Sequence, residues 1–68
     1  MNNNIRQYRK EKNISQEDLA KRCNVSRQTI NAIENNKYDP TLSLAFKLAE
    51  VLQVTVDELF KSEEEIKR

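Results

Sequence analysis

Residues 16 to 35, QEDLAKRCNVSRQTINAIEN, constrain this chain more than any other stretch. The segment reads as two short helices joined by a tight turn. Leu19, Cys23, Val25, Ile30 and Ile33 are apolar where two crossing helices must touch, and Ala20 is small where their backbones come closest. Arg27, Gln28 and Asn31 then fall on the opposite side of the second helix, polar side chains displayed from a rod with an apolar back.

A chain of 68 residues makes one small domain near the lower limit of what folds without cross-links, so its 37% apolar content has to be used efficiently. A single cysteine excludes an internal disulfide. Cys23 falls on the apolar face of its helix, where a small buried hydrophobe is expected rather than a reactive thiol. Histidine is absent, which removes the usual general base and, with one cysteine, leaves no set of zinc ligands; no metal or other cofactor is expected. No nucleophile and base stand at a workable spacing and there is no phosphate-cradling glycine loop, so an enzyme is not expected. With no signal peptide and no apolar run approaching about 18 residues, the expectation is a soluble, cytoplasmic protein without a membrane partner.

No repeat, low-complexity tract or long linker interrupts the chain, and strand signals are weak throughout. The expected unit is therefore all-α and spans residues 1–61, with a charged tail at 62–68. A first helix is expected over about residues 3–12, burying Ile5 and Tyr8, and Asn13 suits a left-handed conformation at its end. Ser15 caps a second helix running to Cys23, with Asp18 three residues on in a variant of the capping box. Asn24 makes the turn, where positive φ is favoured and this chain has no glycine to supply it. Ser26 caps a third helix running to about Asn35, with Asn35 and Asn36 as candidate stops before a loop at 37–40. Thr41 caps a fourth helix ending at Leu52, whose apolar residues cover an arc of about 220° and make it central. Complete burial of that arc within one copy is expected; the alternative leaves Phe46 or Val51 exposed to meet another subunit. Thr55 and Glu58 form a capping box for a fifth helix, whose Val56, Leu59 and Phe60 close the core.

The net charge of +1 hides a polarised chain: residues 1–38 carry eight basic and four acidic side chains, residues 39–68 four basic and seven acidic. A cationic half that contains the displayed helix is the footprint expected of a phosphate-binding face. Within that helix, Arg27 and Gln28 lie in the first turn, the part that enters a major groove first. An Arg guanidinium can donate a bidentate pair to guanine O6 and N7, a Gln amide can pair with adenine N6 and N7, and Asn31 lies one turn beyond. Ala32 offers a methyl surface suited to a thymine methyl. Candidates for the DNA backbone are Gln16 at the start of the second helix, Ser26, Thr29, Asn35, Lys37 and Tyr38. Arg6 and Lys10 add charge whose direction the sequence leaves open.

The stretch ISQEDLAKRCNVSRQTINAIENNKYDPTLSLAFKLAEVLQVTVDELF resembles the Cro and phage-repressor-type helix-turn-helix family, a likeness that extends over residues 5–60. It combines an SQ-x-x-LA start, the SRQTI segment, an IE-x-N-x-x-x-P exit and the VTVDELF close; Asn24 departs from the glycine usual at the turn, which implies slightly lower stability. The resemblance implies a five-helix, lambda-repressor-like DNA-binding domain that recognises double-stranded operator DNA as a homodimer and regulates transcription. It also pairs a basic with an acidic residue here, and Arg9 and Glu34 both fall on inward-leaning parts of their helices, so a partly buried ion pair is expected between them. The expectation is a sequence-specific repressor on a palindromic operator with half-sites roughly 10 bp apart. An antitoxin or a restriction-modification controller would share the architecture. The competing class is a protein-interaction module on the same fold, against which the cluster of Arg27, Gln28 and Lys37 argues.

Overall fold

Hydroxyl groups start four of the helices. Ser15, Ser26, Thr41 and Thr55 sit in extended conformation, and their side chains accept hydrogen bonds from the backbone N–H groups of Asp18, Thr29, Leu44 and Glu58 at 3.0 to 3.1 Å. In the computed structural model, which describes residues 2–61, the elements are β1 (Asn2–Asn3), α1 (Ile5–Glu11), α2 (Gln16–Cys23), α3 (Arg27–Glu34), α4 (Leu42–Leu52), α5 (Val56–Leu59) and β2 (Phe60–Lys61). The expected tail at 62–68 lies outside the described residues. The capping box is reciprocal at Thr55, whose N–H donates to Glu58 Oε1 at 2.8 Å. At Ser15 the box has one arm, because Asp18 turns instead to Arg22 at 3.3 Å.

The first four helices each stop at or just before a residue held in the left-handed region. Asn13, Asn24, Asn36 and Gln53 have φ of 57, 62, 62 and 60°. At each, the next residue's N–H folds back onto a carbonyl five residues earlier: Ile14 onto Arg9, Val25 onto Ala20, Lys37 onto Ala32 and Val54 onto Ala49, at 2.9 to 3.0 Å. Asparagine tolerates this conformation because its short amide bonds locally; glutamine at 53 is the departure that the sequence did not signal.

The core forms where α4 backs onto the α2–α3 pair. Ile5, Leu19, Ile30, Ile33, Leu48, Leu52 and Leu59 are fully buried, with Ala20, Cys23 and Ala49 filling the close approaches. Tyr8, Val25, Val56 and Phe60 pack against this cluster while remaining partly exposed. Burial pushes the Cys23 thiol above its ordinary pKa, only partly offset by the Lys47 charge, so it is an unreactive filler. No helix among the described residues is long and apolar enough to cross a membrane.

The five helices make the fold all-α in class, as expected, but two finer expectations need correction. Asn2 and Asn3 pair antiparallel with Lys61 and Phe60, so α1 begins at Ile5 and not at residue 3. The N–H of Asn4 donates to the carbonyl of Leu59 at 2.7 Å, which draws Phe60 out of α5 into extended backbone. The apolar arc of α4 is also not fully covered. Leu48 and Leu52 are inside, but Leu42 is 68% and Phe46 58% exposed, because α5 is four residues long and too short to cover the first half of α4.

Candidate nucleic-acid interface

The turn at Asn24 and the cap at Ser26 lay α3 across α2 with Ile30 and Ile33 inward, which carries Arg27, Gln28 and Asn31 to the surface. Ala32 is half-buried at the flank of that face. The structure thus brings all four candidate base readers onto one short helix, three of them open to solvent. Lys37 and Tyr38 are exposed in the loop that follows.

Other candidates are engaged within the protein. Ser26 Oγ and Thr29 Oγ1 lie 3.0 Å apart, and Ser26 Oγ also accepts the Thr29 N–H, so each hydroxyl has a partner already. Gln16 is half-buried and its Nε2 donates to Glu34 Oε1 at 3.0 Å. An amide nitrogen carries two hydrogens, so one donor of Gln16 remains beside the open N-terminus of α2. Asn35 turns its amide nitrogen to the Asn31 carbonyl at 2.9 Å. In this conformation its donor faces the helix and not the surrounding solvent.

Glu34 is the hub beneath this face. Its side chain is fully buried, and Oε2 accepts from Arg9 Nε at 2.7 Å. Oε1 accepts from Arg9 Nη2 at 3.3 Å, Arg6 Nε at 3.3 Å and Gln16 Nε2 at 3.0 Å. α1, α2 and α3 thus converge on one carboxylate, and the loop after α1 is tied in through Arg9, whose Nη1 donates to the Ile14 carbonyl at 2.9 Å. Burial alone pushes the Glu34 carboxyl up, but the hydrogen bonds from Arg9 and Gln16, the Arg9 charge and the bond from Arg6 together hold it below the ordinary glutamate range. No buried side-chain polar atom among the described residues lacks a partner. A charge enclosed this way gives little net stability, since desolvation offsets the attraction, but it admits few arrangements of the helices around it.

The sequence points to Arg9 with Glu34 and misses Arg6 and Gln16. The signal is there for Arg6, which precedes Arg9 by three residues and so shares its helix face. Gln16 carries no such mark, because a glutamine in a first helical turn reads as a surface donor.

A helix-turn-helix family model matches residues 5–59. An uncharacterized HTH-type transcriptional regulator of Methanocaldococcus jannaschii is 51% identical over 65 residues, which span 96% of this chain and 98% of that protein. Among solved structures, the biofilm master regulator SinR in complex with DNA superposes with a TM-score of 0.71 at 38% identity, over 76% of this chain and 84% of that one. The restriction-modification controller C.AhdI from Aeromonas hydrophila superposes with a TM-score of 0.77 at 32% identity, over 82% and 85% of the two chains. Motifs, architecture and likeness agree, and the chain belongs to the helix-turn-helix family of the Cro and phage-repressor type.

Proposed function

We propose that this protein is a sequence-specific DNA-binding repressor of transcription that acts in the cytoplasm as a homodimer on a palindromic operator. The observation that carries this reading is α3 itself: Arg27, Gln28 and Asn31 stand exposed on a helix whose buried end is fixed by Glu34 to α1 and α2. α3 enters the major groove, where Arg27 suits guanine, Gln28 suits adenine and Ala32 contacts a thymine methyl. Lys37 and Tyr38 donate to the flanking phosphates, joined by the free donor of Gln16 and the first N–H groups of α2. The structural likeness to SinR, which was solved in complex with DNA, supports DNA binding.

A second copy is the partner that suits Leu42 and Phe46. The two stand one turn apart on α4; Leu42 lines an apolar groove with Pro40, Ala45, Val56 and Phe60, and Phe46 is exposed beyond it. A palindrome is read by a two-fold pair, and a self-complementary apolar face is what such a pair requires. The working unit is residues 1–61.

Fluorescence anisotropy with random duplex at rising salt tests the binding mode, and affinity is expected to fall steeply as counterions are released. Selection from a random pool tests specificity and is expected to enrich a palindrome with half-sites roughly 10 bp apart. A protein that ignores duplex at low salt is instead an interaction module.

A further inference from the structure

Two guanidinium groups share one carboxylate at the exit of α3. Arg9 engages both oxygens of Glu34 and is enclosed, its side chain 10% exposed. Arg6 reaches Oε1 of the same carboxylate at 3.3 Å through Nε, but its side chain stays 51% exposed. One negative charge offsets only one of the two positive charges, so the group is cationic as a whole and its surplus lies at Arg6, where solvent reaches. Lys10, exposed one turn further along α1, lines a cleft with Arg6, Asn3, Asn4, Gln7 and Glu34 and adds to that charge. A second bond runs from Arg6 Nη2 to Asn35 Oδ1 at 3.3 Å, so the guanidinium is fixed at two points by two of its five N–H donors. Asn35 itself turns Nδ2 to the Asn31 carbonyl at 2.9 Å and to Asn31 Oδ1 at 3.2 Å. The donor that faces outward at this corner is therefore the guanidinium and not the Asn35 amide.

We propose that Arg6 contacts a DNA backbone phosphate beside the exit of α3, in the role expected of Asn35. This rests on the reading of α3 as the element that enters the major groove. Gln16 Nε2 donates to Glu34 Oε1 at 3.0 Å, so Gln16 and Arg6 bond the same oxygen and their side chains are neighbours. A strand that offers a phosphate to the remaining donor of Gln16 at the N-terminus of α2 therefore runs past the guanidinium. A guanidinium presents parallel N–H groups to phosphate oxygens, and one already held at two points gives up little freedom on binding. Such a contact reads no base and adds affinity for any duplex. Arg6 then has two duties, since the charge on α1 that meets the strand also helps to brace Glu34 under α3.

Random-duplex anisotropy against salt, run on the wild type, Arg6→Gln and Lys47→Gln, tests the proposal beside selection from a random pool. Arg6→Gln is expected to reduce the salt slope by about 0.9, the value of one phosphate contact, and to weaken binding several-fold at about 0.1 M salt. Lys47 is exposed on α4, which backs onto the α2–α3 pair, and Lys47→Gln is expected to leave the slope unchanged. The motif enriched by Arg6→Gln is expected to match that of the wild type. A purely structural role for Arg6 predicts otherwise: a smaller folded fraction lowers affinity by one factor at every salt concentration and leaves the slope alone. In the wild type, the guanidinium N–H signals of Arg6 in NMR spectra are expected to shift on addition of duplex, a readout that needs no variant. An unchanged slope in Arg6→Gln, an equal loss of slope in Lys47→Gln, an altered motif or unmoved Arg6 signals on bound duplex overturns the proposal and leaves DNA recognition standing. A wild type that ignores duplex at low salt overturns both.

Discussion

Arg9 Nε lies 2.7 Å from Glu34 Oε2, and this contact ties the first helix to the last residue of the helix that displays the candidate base readers. The tilt of α3 is thus set by ionic contacts at one end and by Ile30 and Ile33 along its apolar back. Energetically the pair is asymmetric: its formation contributes little, while the loss of one member strands the other.

Glu34→Ala is expected to destabilise the fold by about 3–5 kcal/mol, because it leaves the buried Arg9 guanidinium without a counter-charge. Glu17→Ala, at an exposed position in the first turn of α2, is expected to cost about 1 kcal/mol or less. Urea melts of the two variants check this, and equal stabilities would contradict the bracing role of Glu34.

Stability is expected to fall in acid through the same carboxylate. Burial raises the Glu34 pKa, but Arg9, Gln16 and Arg6 outweigh it and leave the folded value below the unfolded one. The contribution is complete above the unfolded glutamate pKa of about 4.3 and disappears as pH drops through the lowered folded value. Denaturant melts between neutral pH and about pH 3 are expected to show this decline in the wild type and a shallower one in Glu34→Gln.

Readout and anchoring should separate. Gln28→Ala is expected to relax discrimination at one base pair by about 1–3 kcal/mol. Lys37→Ala is expected to weaken binding to every duplex alike and to reduce the salt slope by about 0.9, the value of one lost phosphate contact. Anisotropy titrations on specific and random duplexes distinguish the two; identical effects on both would remove the assignment of Gln28.

Leu42→Ser combined with Phe46→Ser is expected to shift the sedimenting species from dimer to monomer and to weaken operator binding. Both side chains are largely exposed in the single copy, so the loss of monomer stability is expected to stay within about 1 kcal/mol. A variant that sediments like the wild type would place the subunit interface elsewhere.

Gln53→Gly is expected to raise stability by up to about 1 kcal/mol, since the left-handed backbone at this position is unfavourable for any residue with a Cβ. The gain is reduced by loss of the bond from Lys12 Nζ to Gln53 Oε1, an exposed contact at 3.1 Å. A thermal melt measures the balance.

Local chemistry made much of this architecture legible in advance. Serine and threonine before an apolar run name the start of a helix, and asparagine after one names its stop, because both act through neighbouring backbone groups. The exit from α4 was not legible, since Gln53 is driven left-handed by the need to bring Val54 back toward Ala49, and glutamine has no turn chemistry of its own. The ladder between β1 and β2 was equally hidden, because two-residue strands have no periodicity and their partners stand almost a whole chain apart. A helical wheel showed how wide the apolar arc of α4 is, but not that α5 would be too short to cover Leu42 and Phe46. On α3, the exposed polar positions were readable, whereas the direction of each amide was not. That direction at Asn31 and Gln16 depends on Asn35 and Glu34, side chains brought near only by folding or by a helical turn.

Asn3 belongs to β1, yet its Nδ2 also donates to the Ile33 carbonyl at 2.8 Å and to Asn36 Oδ1 at 3.2 Å. One residue thereby fastens the zipped termini to the exit of α3. Prising Phe60 and Lys61 from their strand partners would loosen the grip on the far end of α3, so a load borne on β2 has a mechanical route to the exposed face of that helix.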